Sequence, residues 1–114
     1  MEDTQKRIKD LVSGNRVALF MKGSKNFPQC GFSATVVGIL KEAGVREIKD
    51  INILQRADLR DGMKEYASWP TFPQLYVKGE FVGGCDIVRE MFQAGELQSL
   101  MKEKGLAVKA SAPA

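Results

Sequence analysis

Arg16-Val17-Ala18-Leu19-Phe20-Met21, then Lys22-Gly23-Ser24-Lys25-Asn26-Phe27-Pro28-Gln29, then Cys30-Gly31-Phe32-Ser33: the reading of this run decides the fold. Its first part is short, apolar and bounded by turn residues, which predicts a buried strand. Its second part is a polar loop. After Cys30, residues Val36, Ile39, Leu40 and Ala43 recur at helical spacing and Gly44 stands at C′, predicting a helix over 30–43. A thiol thus opens a helix just after a buried strand. Unpaired N–H groups and about half a positive charge at a helix N-terminus favour the thiolate, the form that attacks disulfides and binds metal. Lys22 adds positive potential, and Gly31 lets another molecule approach the sulfur. Without that placement, a lone cysteine reads more simply as a small buried hydrophobe.

The spacing after Cys30 excludes one chemistry. A Cys-x-x-Cys pair holds its resolving thiol three residues on, and here that residue is Ser33. A hydroxyl cannot close a disulfide. The partner of Cys30 is therefore an external thiol, a metal, or the distant Cys85.

Working outward, Asp3 or Thr4 can cap a first helix reaching about Val12, with Ile8, Leu11 and Val12 as its apolar face. Glu47 to Ile51 reads as a second strand. Asp58 is expected to cap a helix through Tyr66. Gln74 to Lys78 and Phe81 to Gly83 flank a Lys-Gly-Glu turn and predict a hairpin. Asp86 is expected to cap Ile87 to Gln93, and Glu96 to Lys104 forms the last helix. Strands alternating with helices, then a hairpin, imply an α/β fold with a mixed sheet and helices on both faces. One domain over 1–104 is expected, with a disordered tail over 105–114.

Composition narrows the chemistry. In 114 residues, 44% hydrophobic and 27% charged, there is room for one core. Lys and Arg are interleaved with Asp and Glu at a net charge of +3, so neither nucleic acid nor a membrane is expected as a partner. Met1 to Lys6 lacks the apolar core of a secretory signal and is too acidic for a transit peptide, so a cytoplasmic protein is expected. Two cysteines make no disulfide framework, and with no histidine there is no Ser-His or Cys-His catalysis and no imidazole-dependent zinc site.

Two further segments carry chemistry. Trp69-Pro70-Thr71-Phe72-Pro73-Gln74 sets two prolines just before a strand, where proline is tolerated. A cis bond at Phe72-Pro73 would turn the Phe72 backbone toward a ligand, although cis forms are only about 5–6% of X-Pro bonds and a trans turn is the plainer expectation. Gly83-Gly84-Cys85-Asp86 opens another helix and suits a carboxylate, or is simply a flexible turn. Cys85 is open between packing, a second redox thiol and part of the site. Arg60 reads as a solvated helix residue.

Met21-Lys22-Gly23, Pro28-Gln29-Cys30-Gly31-Phe32-Ser33, Trp69-Pro70-Thr71-Phe72-Pro73-Gln74 and Gly83-Gly84-Cys85-Asp86 together resemble the monothiol glutaredoxins with the Cys-Gly-Phe-Ser signature, in their single-domain form. The resemblance runs from about Thr4 to Lys104. It implies a thioredoxin fold with a four-stranded mixed sheet, glutathione binding, and a [2Fe-2S] cluster bridging a homodimer. Cys30 would be the reactive, iron-ligating thiolate, and a glutathione thiolate the other ligand from each protomer. Lys22 and Arg60 would pair with the glycyl carboxylate, the Phe72 backbone ahead of a cis Pro73 with the cysteinyl unit, and Cys85 and Asp86 with the glutamyl end. The implied role is to take a cluster from a scaffold and pass it to apo iron–sulfur proteins, with a BolA-like protein able to replace one protomer. The alternative is a glutathione-dependent thiol-disulfide oxidoreductase, expected at most to be weak.

Overall fold

The structure, a computed structural model, describes residues 2–106. Among these the elements run α1 (Glu2–Gly14), β1 (Val17–Met21), α2 (Gly31–Glu42), β2 (Lys49–Asn52), α3 (Ala57–Ala67), β3 (Gln74–Val77), β4 (Glu80–Gly83), α4 (Cys85–Gln93) and α5 (Glu96–Glu103). The sheet order is β2-β1-β3-β4. β1 pairs parallel with β2 and antiparallel with β3, and β3 pairs antiparallel with β4. This is the mixed four-stranded sheet that the alternation of elements predicts.

All five residues of β1 are buried, because the strand is central and both its faces are covered. Alternation sends Val17, Leu19 and Met21 to one face, where they meet Val36, Val37 and Leu40 of α2, Val88 of α4, and Leu97 and Met101 of α5. Ala18 and Phe20 go to the other face, with Ile8 and Val12 of α1 and Leu59 and Met63 of α3. Leu19 and Phe20 are fully buried on opposite sides, so truncating either to alanine costs about 2–5 kcal/mol through lost transfer energy and a cavity.

Several boundaries differ from expectation. β2 begins at Lys49, not Glu47. α3 begins at Ala57 with Arg56 at the N-cap; Asp58 lies inside the first turn, its carboxylate accepting from Nε and Nη2 of Arg56, so it does not cap the helix. α4 begins at Cys85 with Gly84 at the N-cap, and Asp86 accepts instead from Nη2 of Arg89 at 2.8 Å. Within the stretch expected to be a tail from Gly105, Leu106 is instead buried in the first core cluster and its N–H donates to the carbonyl of Met101 at 2.8 Å. Residues 107–114 lie outside the described residues.

β2 is an edge strand, and Lys25 is tied to it and to the residue before it. Its N–H donates to Asp50 Oδ2 at 2.8 Å and its Nζ to the carbonyl of Ile48 at 3.0 Å. The hairpin between β3 and β4 closes through Lys78 and Gly79, both at positive φ, as a two-residue turn of this kind requires.

Candidate functional site

Cys30 is the N-cap residue of α2, extended at φ −145° and ψ 137°, and half-buried. Its pKa is held below the ordinary thiol value by the backbone N–H groups of Ser33 and Phe32, the Lys22 ammonium and the Ser33 hydroxyl, against a smaller opposing effect of burial. The first turn of the helix thus supplies donors to the sulfur directly, which is how a helix N-terminus stabilises an anion.

Ser33 does more than fail to be a cysteine. It is fully buried, and its Oγ accepts from the N–H of Lys22 at 3.1 Å while also facing the Cys30 sulfur. One hydroxyl therefore ties the end of β1 to the start of α2 and steadies the thiolate. Sequence reasoning used Ser33 only to exclude a disulfide; the signal it missed is that a small hydroxyl one turn into a helix can donate to the residue at its start.

The loop before Cys30 is pinned rather than loose. Gln29 N–H donates to the Lys22 carbonyl at 2.9 Å, Ser24 and Phe27 exchange backbone bonds, and Gly23 N–H donates to Asn52 Oδ1 at 3.0 Å. Gly23 sits at φ 92°, and a Cβ there would lie 2.5 Å from Gln29 N and 2.6 Å from the Phe27 carbonyl. Only glycine fits this loop closure.

The peptide bond between Phe72 and Pro73 is cis, contrary to the plainer expectation from sequence and in line with the resemblance. Gln74, fully buried, holds the preceding turn by donating Nε2 to the carbonyls of Trp69 and Thr71, both at 3.1 Å. Beside it, Gly84 packs against Trp69: a Cβ on Gly84 would meet the Pro73 carbonyl at 3.2 Å and Trp69 Nε1 at 3.3 Å. That buried indole N–H has no hydrogen-bond partner among the described residues.

Two adjoining cavities bring together Lys22, Arg60, Phe72, Cys85 and Asp86; Cys30 itself lines neither. One, of about 480 Å³, is lined by Lys22, Phe32, Trp69, Thr71, Cys85 and Asp86. The other, of about 340 Å³, is lined by Lys22, Arg60, Lys64, Thr71 and Phe72. Lys22 and Thr71 belong to both, so the cavities form one groove, of a size that takes a small peptide. Its cations cluster at the Arg60 end, where Arg60 itself is exposed and only loosely paired with Asp61 at 3.4 Å. At the other end Asp86 keeps its ion pair with Arg89. Cys85, the first residue of α4, is buried, and its thiol is pushed up above its ordinary pKa by desolvation. Cys30 is close enough to add to that rise.

Comparisons with known proteins agree with this geometry. The family model for glutaredoxin matches residues 17–82. The chain is 56% identical over 97 residues to the probable monothiol glutaredoxin 2 of Rickettsia conorii, covering 85% of this chain and 90% of that protein. It is 49% identical over 113 residues to glutaredoxin 4 of Escherichia coli K12, covering 99% and 97% respectively. The solution structure of reduced poplar apo GrxS14 superposes with a TM-score of 0.77 at 51% identity, over 89% of this chain and 92% of that one. A thioredoxin-type sheet, one cysteine at the start of α2 with a serine where a resolving thiol would stand, and relatives spanning the whole fold lead to one statement: the chain belongs to the monothiol glutaredoxins.

Proposed function

We propose that the protein binds glutathione in the groove beside Cys30 and carries a [2Fe-2S] cluster as cargo between two copies of itself, passing it to apo iron–sulfur proteins. The observation that carries this reading is the half-buried, anion-stabilised sulfur of Cys30, beside which the other thiol, Cys85, is held toward its protonated form. Among the described residues no group of three or more Cys, Asp or Glu side chains could hold a metal. One chain offers one thiolate, so all-thiolate ligation of two irons needs two chains and two outside thiols. The groove suits glutathione as the source of those thiols. Lys22 and Arg60 offer cations to its glycyl carboxylate, the Phe72 backbone lies between, and the first turn of α4 at Cys85 and Asp86 meets its glutamyl end. The unpartnered indole N–H of Trp69 is a polar group that a ligand could satisfy. Phe27 and Phe32, on either side of Cys30 in sequence, are 73% and 61% exposed, apolar surface of the kind a second copy or a BolA-like protein would cover.

Because half of the ligands would be exchangeable peptides, the cargo would be labile, which suits a carrier receiving it from a scaffold. No described helix is long and apolar enough to cross a membrane, and two free thiols suit the reducing cytoplasm, where we place the protein.

A second reading is favoured by the lowered pKa of Cys30. Its thiolate could attack the glutathionyl sulfur of a mixed disulfide, releasing the substrate thiolate. A second glutathione thiolate would then displace Cys30 and leave as glutathione disulfide. Anaerobic reconstitution with iron, sulfide and glutathione separates the two. Visible cluster bands on a dimer that reverts to monomer without glutathione support the carrier; a colourless monomer that reduces glutathionylated substrate briskly supports the oxidoreductase. Cys30→Ser is expected to abolish the bands and Cys85→Ser to weaken them, so full bands from Cys30→Ser overturn the ligation proposed here.

A further inference from the structure

At the far end of β1 from Lys22, roughly 20 Å away at about 3.3 Å per residue, the surface holds a second concave site. A cleft of about 260 Å³ is lined by Asn15, Arg16, Lys25, Arg46, Glu47 and Lys49, with Val17 and Ile48 as its floor. Four cations and one carboxylate give it a net charge of +3, equal to the formal net charge of the whole chain, +3, so the charges elsewhere cancel. None of Arg16, Arg46 and Lys49 is within ion-pair range of a carboxylate among the described residues; the pairs present involve Arg56, Arg60, Arg89 and Lys104.

The cations are mounted on fixed backbone. The Arg16 carbonyl accepts from Lys78 N–H at 2.7 Å. Lys25 is held along β2 by its two bonds, to Asp50 and to Ile48. Two further concavities adjoin the cleft through Arg16. One, of about 140 Å³, is lined by Arg16, Arg46 and Glu47 together with the apolar Val17, Val45 and Leu106. The other, of about 240 Å³, runs past Asn15 to Lys78. Among the described residues the result is a trench flanked by cations, wide at the cleft and narrower at a largely apolar dimple.

We infer that this trench docks an acidic segment of a partner protein, with carboxylates on Arg16, Arg46 and Lys49 and one aliphatic side chain against Val45 and Leu106. Arginine forks match carboxylates, and exposed charge speeds encounter with an oppositely charged face. A free phosphate or a nucleic-acid backbone has the charge but nothing to set against the apolar dimple. The trench opens too widely to enclose a small ligand, which binding sites for such ligands normally do. It lies away from Cys30, so an occupant would leave the groove free.

The test is a titration of the full chain with a hexapeptide of alternating Glu and Leu, followed by backbone amide shifts at 25 and 150 mM salt. Shifts at residues 16, 25, 45–49 and 106 are expected, with binding at least tenfold weaker at the higher salt. The double variant Arg16→Gln/Arg46→Gln is expected to weaken binding at least tenfold while the rate of Cys30 alkylation stays unchanged. Should the double variant fail to fold, Lys49→Gln alone is expected to weaken binding about threefold. Unchanged affinity in the folded variants overturns the proposal, as do shifts centred on Lys22 and Arg60. So does stronger binding of pyrophosphate, a short DNA duplex or anionic vesicles at the same residues, which would assign the trench to phosphate.

Discussion

Cys30 and Cys85 each stand at the start of a helix that follows a strand, and their sulfurs behave in opposite ways. Cys30 is half-exposed, faces the N–H groups of Ser33 and Phe32, and has its pKa lowered. Cys85 is buried; desolvation outweighs the Arg89 guanidinium and its pKa is raised. The helix N-terminus is common to both, so it does not by itself make a thiolate. What decides is whether donors reach the sulfur before burial strips its water away.

The strongest way to break this comparison is alkylation by iodoacetamide at neutral pH. Wild type should show one fast and one slow thiol, separated by at least tenfold in rate. Cys30→Ser should remove the fast phase and Cys85→Ser the slow one; the reverse assignment would sink the comparison. Next in size is Ser33→Ala. It takes away the hydroxyl at Cys30 and leaves Lys22 N–H without its acceptor, so stability should fall by about 1–3 kcal/mol. The thiolate absorbance of Cys30 should also titrate at higher pH than in wild type. Loss of stability with an unmoved titration would confine Ser33 to tying strand and helix.

The two cysteines should also tilt stability against pH in opposite directions. Below its ordinary value of 9.0, the lowered Cys30 sheds its proton in the folded state first, so its contribution is lost as pH falls through the folded pKa and is complete above 9.0. Cys85 holds its proton longer when folded, so its contribution is complete below 9.0 and is lost as pH rises through the folded pKa. Urea unfolding at pH 7 and pH 9.5 should show the stability gap between wild type and Cys30→Ser widening with pH, and that for Cys85→Ser narrowing. Parallel slopes would refute this. The smallest effect belongs to Lys22→Gln, which should raise the Cys30 titration slightly at low salt and almost not at all at high salt, where the charge is screened.

Local signals were legible from the residues alone. The apolar run into Met21, the helical spacing after Cys30, Gly44 beyond the helix end and the Lys78-Gly79 turn each report on a few neighbouring residues, and each stands where expected. The two aspartates misled because a capping residue was read without its competitor. Arg56 and Arg89 take the carboxylates of Asp58 and Asp86, and Arg56 and Gly84 stand at the N-caps with no side-chain capping bond. The pinned loop was illegible because its anchors, Asn52 and Asp50, lie some 25 to 29 residues away. Trp69 against Gly84 was hidden for the same reason: the fit exists only once the two segments meet.

Lys25, lying along β2, has a consequence for how copies of the chain can meet. An open sheet edge invites another strand, and the ligand-bridged pairing proposed above would bring with it the risk of joining edge to edge. Here the carbonyl of Ile48, just ahead of β2, is already taken by an ammonium group, and a charged side chain lies at the start of the edge strand. The pairing proposed above would thereby be kept from the sheet margin and left to the surface around the sulfur, where removing a shared ligand would undo it. Replacing Lys25 with an apolar residue would remove that guard and open the sheet to aggregation.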